Sequence, residues 1–304
     1  MNLNNVIQEA HMAQVKALSV GYDCDIVINE YKEYVNNNFD LFEKAYKIDK
    51  NLDLSKEKIL AQFEIDNFSK YKVEAFMNEF GKVGNLSVPY GVLGVISDCN
   101  IYNVLRLIVL AIYTKNAMIF NLIDNLGTNY LFIQSINDIL DKYDTNGFIQ
   151  IYNNNAGEKL EESENIDGII YIGKKVNCDR LKISSICPII YSGCGNYELY
   201  VEDVLDENVV AEALKMQNVK IYSRKGIGIG QEVSGVDEAL IRISESGSEY
   251  ACAIITESRE NAKTFVNNVK SRNIFVNALP TLINDKLDIE PDMLMYKKSV
   301  LVFE

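Results

Sequence analysis

The sequence predicts an α/β protein with two domains, each a parallel sheet covered by helices. From Leu86 to Val276, short apolar segments alternate with amphipathic segments of helical period. Strand–helix–strand units of this length form right-handed crossovers between parallel strands. The chain has 304 residues, of which 48% are hydrophobic and four are prolines, so it can bury a substantial core.

Residues 2–79 are predicted to form helices, because their apolar residues recur at helical spacing. The stripes lie around Val6–Leu18, Ile26–Tyr34, Leu41–Tyr46 and Ile59–Phe68. The single histidine, His11, falls on the first of these helices, where we expect a solvated surface position. One histidine leaves little room for histidine-based catalysis or for a histidine metal site.

After these helices, the spacing of apolar residues is no longer helical. Leu86–Ile96 is a near-continuous apolar run, which predicts a strand buried on both faces. Asn103–Thr114 predicts a helix that Asn103 could cap. Further strands are predicted at Ala117–Ile123, Gly147–Tyr152, Gly168–Ile172 and Pro188–Tyr191, with a helix at Asn129–Tyr143. Together with the N-terminal helices they form a predicted first domain of residues 1–192.

A second domain is predicted over residues 193–290. Its strands are Tyr197–Val201, Val219–Tyr222, Tyr250–Ile255 and Ile274–Val276, and its helices are Glu207–Met216, Val236–Ser244 and one from Thr256 or Glu257 to Val269. The tail, residues 291–304, contains the β-rich segment Tyr296–Glu304, which has no evident partner nearby. Such a strand often pairs with the sheet edge of another chain, so we expect an intersubunit strand and a homodimer.

Composition excludes several classes of protein. The net charge is −13 and the basic residues are scattered, which argues against a nucleic-acid partner. Neither an apolar run of membrane-spanning length nor an export signal is present, so we expect a cytoplasmic protein without a membrane partner. Six cysteines without CxxC pairs predict free thiols, with no disulfide framework and no metal site.

Several segments, in the same order, resemble gamma-glutamyl phosphate reductase of the aldehyde dehydrogenase superfamily. They are Val88–Ile96 (VPYGVLGVI), Lys115–Phe120 (KNAMIF), Ile166–Lys175 (IDGIIYIGKK), Pro188–Val201 (PIIYSGCGNYELYV), Val233–Pro280 and Tyr296–Val302. The resemblance implies an aldehyde dehydrogenase-like fold: a Rossmann-type cofactor domain, a second, smaller α/β catalytic domain, here shortened, and a C-terminal oligomerisation strand.

The resemblance also implies a chemistry. The family uses a cysteine thiolate, which forms a thioester, and NAD(P), which carries hydride. Gly173 and Lys175 match a glycine-rich turn beside the cofactor, in which Lys174 replaces the second glycine. Gly193 and Gly195 match the family's GxG turn. These four are the candidate cofactor-binding residues.

The chain departs from the family at its reactive positions. The family's cysteine follows the helix that corresponds to Glu207–Met216, whereas Gln217–Gln231 contains no cysteine and a long family segment has no counterpart. The general-base glutamate corresponds to Tyr191. In an ungapped alignment the oxyanion-stabilising asparagine corresponds to Tyr102, although the adjacent Asn103 could replace it. Asn121–Asp124 replaces the glycines on the phosphate side, which argues against close approach of a dinucleotide.

Three features leave alternatives open. Cys194, between two glycines, is either a weak catalytic candidate or a small residue in a tight turn, and the latter is favoured. Cys99 follows the first sheet strand, at the end where α/β sheets place ligands. Gly226–Gly230 (GIGIG) suggests a nucleotide loop, but a flexible connector at the missing segment fits it better.

The favoured hypothesis is a non-catalytic protein with a binding, scaffolding or regulatory role and no cofactor. The alternative is an oxidoreductase that uses NADP or NAD on an aldehyde or acyl phosphate, of the glutamate-5-semialdehyde kind, with a rearranged site. A third hypothesis is a subunit that joins a full-length relative.

Overall fold

The computed structural model describes residues 2–64, 84–97, 101–122, 126–153, 159–173, 175–193, 197–205, 207–215, 219–246, 251–271, 273–279, 287 and 289–300. The chain divides into two compact units. Unit 1 comprises Met1–Ile172, Leu181–Ser192 and Asp285–Glu304, and unit 2 comprises Gly173–Arg180 and Gly193–Asn284.

Unit 1 begins with four helices: α1 (Leu3–Lys16), α2 (Cys24–Asn37), α3 (Phe39–Lys50) and α4 (Lys56–Ala61). Asn2, Asp23 and Ser55 cap α1, α2 and α4, because each side chain accepts a hydrogen bond from a backbone N–H of the first turn. Each predicted stripe coincides with one helix, and the end of the last stripe lies outside the described residues. His11 is half-buried, and its Nε2 lies 2.9 Å from the Asn165 carbonyl oxygen.

The prediction of one strand over Leu86–Ile96 was wrong, since the segment forms two strands in different sheets. They are β1 (Gly84–Pro89) and β2 (Val92–Ser97). Between them, Gly91 has a φ of +130°, which favours glycine, and an added Cβ would lie 2.2 Å from Asp167 Oδ2. The same carboxylate oxygen accepts a hydrogen bond from the Val92 N–H at 2.7 Å. A continuous apolar pattern does not reveal such a break.

The unit 1 sheet has five strands in the order β4-β3-β2-β5-β6. The strands after β2 are β3 (Ala117–Leu122), β4 (Ile149–Ile151), β5 (Gly168–Gly173) and β6 (Ile189–Gly193), and the helices are α5 (Ile101–Thr114) and α6 (Gly127–Leu140). Helix α7 (Lys175–Ser184) follows β5 and begins in unit 2, to which Gly173–Arg180 belongs. β2 pairs in parallel with β3 and β5, and β3 pairs in parallel with β4. This arrangement confirms the predicted Rossmann-type sheet.

Two expectations for unit 1 need correction. Asn103 does not cap α5: the chain is already helical at Ile101, and Asn103 is buried in the first turn. The C-terminal strand, β12 (Met295–Val300), has a partner in its own chain, because it pairs antiparallel with β1 from Pro89↔Met295 to Gly84↔Val300. These partners are more than 200 residues apart, so no local pattern could reveal the pairing.

Unit 2 contains a second five-stranded sheet in the order β11-β10-β7-β8-β9. Its elements are β7 (Tyr197–Val201), α8 (Glu207–Lys215), β8 (Val219–Arg224), β9 (Gln231–Val233), α9 (Val236–Ser246), β10 (Ala251–Ile255), α10 (Arg259–Asn268) and β11 (Asn273–Val276). Each pair of neighbouring strands in this sheet is parallel. One sheet face packs against α9 and α10, and the other against Ala213 of α8.

The helix predicted from Thr256 or Glu257 begins later, at Arg259. Ser258 is its N-cap, since its hydroxyl accepts a hydrogen bond from the Asn261 N–H at 3.2 Å. The Thr256 hydroxyl instead donates to the Glu202 carboxylate. Thr256 and Ser258 both have side chains that can cap a helix, and the tertiary contact of Thr256 with Glu202 decides between them.

Two kinds of feature are absent from the described part of the chain. None of its helices combines the length and the apolar character needed to cross a bilayer. Within the same residues, no group of three or more histidine, cysteine, aspartate or glutamate side chains is arranged to hold a metal ion.

Candidate functional site

Three of the five predicted site residues lie in the described part of the chain. Gly173 is the last residue of β5, Gly193 is the last residue of β6, and Lys175 is the first residue of α7. Because β5 and β6 are neighbours, the two glycines end adjacent strands, at the edge where α/β sheets bind ligands. Cys194 and Gly195 lie outside the described residues, as do Cys99 and Lys174.

Lys175 is engaged by a carboxylate of its own helix. Its Nζ lies 2.7 and 2.8 Å from the two oxygens of Asp179, one turn further along α7. A cation in the first turn of a helix opposes the helix dipole, and the Asp179 carboxylate compensates for it. Lys175 would have to share or leave this ion pair in order to bind a phosphate group.

The N-terminus of α6, the helix that follows β3, holds a carboxylate from a distant part of the chain. Asp49, near the end of α3, accepts hydrogen bonds from the Gly127 N–H (3.1 Å), the Thr128 N–H (2.8 Å) and the Thr128 hydroxyl (2.6 Å). Burial raises the pKa of Asp49, but these hydrogen bonds outweigh it and hold the pKa below its ordinary value. An anion of the protein itself thus occupies a position that attracts phosphate in Rossmann-type folds. Nothing in the local sequence around Asp49 signalled this contact.

Two of the described thiols, Cys24 and Cys252, are poorly suited to nucleophilic chemistry. Burial raises the pKa of Cys24 to about 11, although Lys115 lowers it, and the thiol donates to the Ile112 carbonyl. Burial raises the pKa of Cys252, which lies fully buried in β10, to about 12. Cys178 is also buried. A thiol needs a lowered pKa to react as a thiolate at neutral pH, and Cys24 and Cys252 have the opposite environment.

The positions that correspond to the family's base and oxyanion donor have structural roles. The Tyr191 ring stacks on Tyr171, with centroids 6.2 Å apart and planes inclined by 14°. The Tyr102 hydroxyl accepts a hydrogen bond from the N–H of Ser55, the N-cap of α4, at 3.2 Å. Both aromatic side chains therefore contribute to packing and to loop anchoring.

The connection from β8 to β9 lies where the resemblance would place the family's reactive segment. It comprises only residues 225–230, although β8 and β9 are parallel. Crossovers between parallel strands usually need a dozen residues or more. Gly226, Gly228 and Gly230 make this tight path possible, with φ values of +91°, +79° and +63°.

This glycine turn is held by hydrogen bonds that involve both flanking strands, β8 and β9. The Ser223 hydroxyl donates to the Ile229 carbonyl at 2.5 Å, and the Lys225 N–H donates to the Val233 carbonyl at 3.1 Å. The element that follows is a strand, and α9 begins only at Val236. A nucleotide loop requires a helix N-terminus directly after its glycines, so the geometry also argues against that alternative.

A polar network that sequence reasoning missed lies at the carboxyl edge of the unit 2 sheet. Glu202 is buried and accepts hydrogen bonds from the Thr256 hydroxyl and from Asn261 Nδ2. Asp203 accepts one from the Glu257 N–H at 2.9 Å and pairs with Arg224 at 3.1 Å. All four carboxylate oxygens are thus engaged within the protein. The network holds the segments after β7 and β10 together.

Comparisons with known proteins were made by sequence and by structure. No model of a known protein family matches the sequence, and no curated protein matches it. Solved structures do match, over nearly the whole chain. Gamma-glutamyl phosphate reductase from Thermotoga maritima has a TM-score of 0.62 at 14% identity, with 100% of this chain and 99% of that one covered.

The chain has an aldehyde dehydrogenase fold. A propionaldehyde dehydrogenase from a Clostridium phytofermentans microcompartment has a TM-score of 0.73 at 11% identity, with 99% and 97% covered. An engineered glycolyl-CoA reductase with bound NADP+ has a TM-score of 0.69 at 12% identity, with 98% and 96% covered. These identities support a common aldehyde dehydrogenase fold and carry no information about activity.

Proposed function

We propose that this chain is a non-catalytic protein built on the aldehyde dehydrogenase fold, with a binding, scaffolding or regulatory role. The observation that carries the proposal is the path from α8 to α9. Residues 207–246 contain no cysteine, and the six-residue glycine turn joins β8 directly to β9. A thiolate nucleophile is indispensable to thioester chemistry, and a hydroxyl cannot readily replace it.

Two further observations support the absence of a bound dinucleotide. The Asp49 carboxylate occupies the N-terminus of α6, where its negative charge repels a phosphate group. Asp179 binds Lys175, the first residue of the helix that follows Gly173. A dinucleotide would have to displace one carboxylate and separate an ion pair, and we therefore expect no binding of NAD or NADP.

The alternative function, an oxidoreductase dependent on NAD(P), is favoured by the fold, because one structural neighbour was solved with NADP+ bound. Its thiol would be Cys194. Isothermal titration calorimetry of the full chain with NADPH separates the two functions, with the Thermotoga maritima reductase as a positive control. We expect no saturable heat from this chain and a clear isotherm from the control.

An activity assay completes this test. The wild-type chain, Cys194→Ser and the matched control Cys187→Ser are assayed with glutamate-5-semialdehyde and NADP. We expect all three to show the same background rate. Micromolar NADPH binding together with turnover that Cys194→Ser abolishes and Cys187→Ser retains would establish the oxidoreductase and overturn the proposal.

We also propose that the chain forms a homodimer through the sheet of β1 and β12. A two-stranded sheet is marginally stable alone in water, and further strands on its edges would stabilise it. Analytical ultracentrifugation of the full chain and of a chain that ends at Leu294 tests this proposal. A wild-type monomer, or an equally dimeric truncated chain, would contradict it. Co-purification with a full-length relative would instead indicate a mixed assembly.

A further inference from the structure

The turn that precedes β4 contains the only Asn–Gly sequence of the chain, Asn146–Gly147. A hydrogen bond from the Phe148 N–H to the Thr145 carbonyl oxygen closes this turn at 3.2 Å, so Asn146 and Gly147 are its two central residues. Asn146 is exposed to solvent. We call residues 145–148 the Asn146 turn.

The backbone of the Asn146 turn is that of a type II turn. Gly147 has a φ of +85°, whereas the φ of Asn146 is negative. Type II turns have this combination, and they favour glycine at the second central position. The closing hydrogen bond uses the Phe148 N–H, so the backbone nitrogen of Gly147 takes no part in it.

The side chain of Gln150 holds the Asn146 turn against α1. Its Nε2 donates to the Gly147 carbonyl oxygen at 2.9 Å and to the Val6 carbonyl oxygen at 3.0 Å. On the other side of Asn146, Thr145 is buried, and its hydroxyl donates to the Leu140 carbonyl oxygen at 3.0 Å. The turn is therefore anchored on both sides of its exposed asparagine. We call the two hydrogen bonds of Gln150 the Gln150 clamp.

An asparagine followed by glycine can lose its side-chain amide without an enzyme. The glycine nitrogen gives up its proton to solvent and attacks the asparagine Cγ; the bond from Cγ to the amide nitrogen breaks, and ammonia leaves. Water then opens the resulting succinimide ring at either carbonyl carbon, which gives aspartate or isoaspartate. Glycine favours this attack because it has no Cβ to obstruct it. The net reaction consumes one water and releases one ammonia.

We propose that Asn146 is a site of spontaneous deamidation and that the Gln150 clamp limits its rate in the folded protein. The ring closes only when the Gly147 nitrogen and the Asn146 Cγ approach each other. For an L-residue this requires a ψ of about −120°, whereas a type II turn holds ψ at about +120°. The peptide group between the two residues must therefore rotate before it reacts. The clamp opposes this rotation because it fixes the carbonyl of Gly147.

Deamidation changes how the Asn146 turn meets α1. The new carboxylate lies two residues from Asp144, which pairs with Lys16 of α1 at 2.8 Å. In isoaspartate the main chain also passes through Cβ and is one carbon longer. The Phe148 N–H and the Thr145 carbonyl oxygen then no longer have the spacing that closes the turn. The modification should therefore loosen the attachment of α1, and hydrogen exchange in α1 should accelerate after it.

The test is incubation of the full chain at neutral pH, followed by peptide mass spectrometry that separates asparagine, aspartate and isoaspartate. Asn268, exposed on α10 and followed by the β-branched Val269, is the internal control, because its neighbour obstructs the attack. We expect deamidation at Asn146 and none at Asn268 over the same period. The rate at Asn146 should be higher in urea, because unfolding removes the turn and the clamp.

Variants of Gln150 decide whether the clamp limits the rate. Gln150→Met keeps the length of the side chain and removes both hydrogen bonds, so it should raise the rate at Asn146 roughly tenfold in the folded protein. It should leave the rate in urea unchanged. Gln134→Met, at an exposed position of α6, is the matched control and should have the wild-type rate. Gln150→Asn, whose amide is one methylene group closer to the backbone, gives the same test if Gln150→Met does not fold.

Three results would overturn the proposal. The first is a rate at Asn146 that does not exceed the rate at Asn268. The second is an equal rate at Asn146 in the folded and in the urea-unfolded chain. The third is an equal rate in the folded Gln150 and Gln134 variants.

Discussion

The Asp49 carboxylate accepts two hydrogen bonds from Thr128, one from its backbone N–H and one from its hydroxyl, although the residues are 79 positions apart. A third comes from the Gly127 N–H. The N-cap residue of α6 is Leu126, whose apolar side chain has no acceptor for the helix N–H groups. Asp49 therefore supplies from α3 the acceptor that the helix itself lacks, and this joins two helices of unit 1.

Replacement of Asp49 by asparagine should destabilise the protein by about 1 kcal/mol at pH 7, because the charge at the α6 N-terminus is lost. The pKa of Asp49 is lowered in the folded state, so its contribution is present above the unfolded value of 3.8 and is lost as the pH falls through the folded value. The difference from wild type should therefore disappear in strong acid. Urea unfolding at several pH values measures it.

The matched control for this variant is Asp53→Asn. Asp53 forms an exposed ion pair with Lys47 at 3.0 Å and caps no helix of the described chain. Exposed pairs contribute about 0.5 kcal/mol or less. If the two variants lose the same stability, Asp49 acts as an ordinary surface charge and the capping interpretation is wrong.

Gly230→Ala should be much more destabilising than Gly228→Ala. Both residues have positive φ, so each alanine incurs about 1 kcal/mol of backbone strain. Only at position 230 does an added Cβ meet the protein, 2.2 Å from the Ile221 carbonyl oxygen, whereas Gly228 has open space. The additional overpacking should amount to about 2 kcal/mol in urea unfolding. Equal losses would show that the turn relaxes freely away from β8.

The sequence predicted both sheets, because strands buried on both faces leave long apolar runs between amphipathic helices. Val92–Ser97 and Ala251–Ile255, for example, are buried along almost their whole length. β9 was not predicted, since Gln231–Val233 is only three residues long and two of them are exposed. Its pairing with β8 depends on the glycine turn. The composition of that turn fits a nucleotide loop and a connector equally well, so it did not predict the strand.

The candidate site was less predictable than the fold. Gly173, Lys175 and Gly193 were found through resemblance, and they do end or begin elements at one sheet edge. The contacts of Asp49 and Glu202 could not be predicted, because each joins residues more than 50 positions apart. The sequence pattern around a polar residue on a helix or a loop does not identify a hydrogen-bond partner that is distant in the chain. Such contacts become evident only once the packing is known.

Asn116→Ala should loosen the attachment of the C-terminal strand. Asn116 is fully buried; its Oδ1 accepts a hydrogen bond from the Gly91 N–H at 2.9 Å, and its Nδ2 donates to the Leu294 carbonyl at 2.8 Å. The variant leaves both backbone groups without these partners, which should cost about 2–4 kcal/mol in total. Hydrogen exchange should accelerate in β12 more than in β10. Asn268→Ala, exposed on α10, is the control, and equal exchange in β12 for both variants would contradict this role.

Glu198→Gln should stabilise the protein at pH 7.5 and leave its stability unchanged at pH 4. Because the folded pKa, about 6, lies above the unfolded value of 4.5, the wild type loses stability as the pH rises between these values. The loss should amount to about 1–2 kcal/mol, since the Glu198 side chain is buried. The amide preserves the shape of the neutral acid and never ionises, so the variant should keep this stability at high pH. Urea unfolding of both proteins measures the difference, with Glu245→Gln, an exposed residue of α9, as the control. A variant that is less stable than wild type at pH 7.5 would mean that ionised Glu198 is satisfied by its surroundings, and the buried carboxyl would then be a structural ion and not a pH-sensitive group.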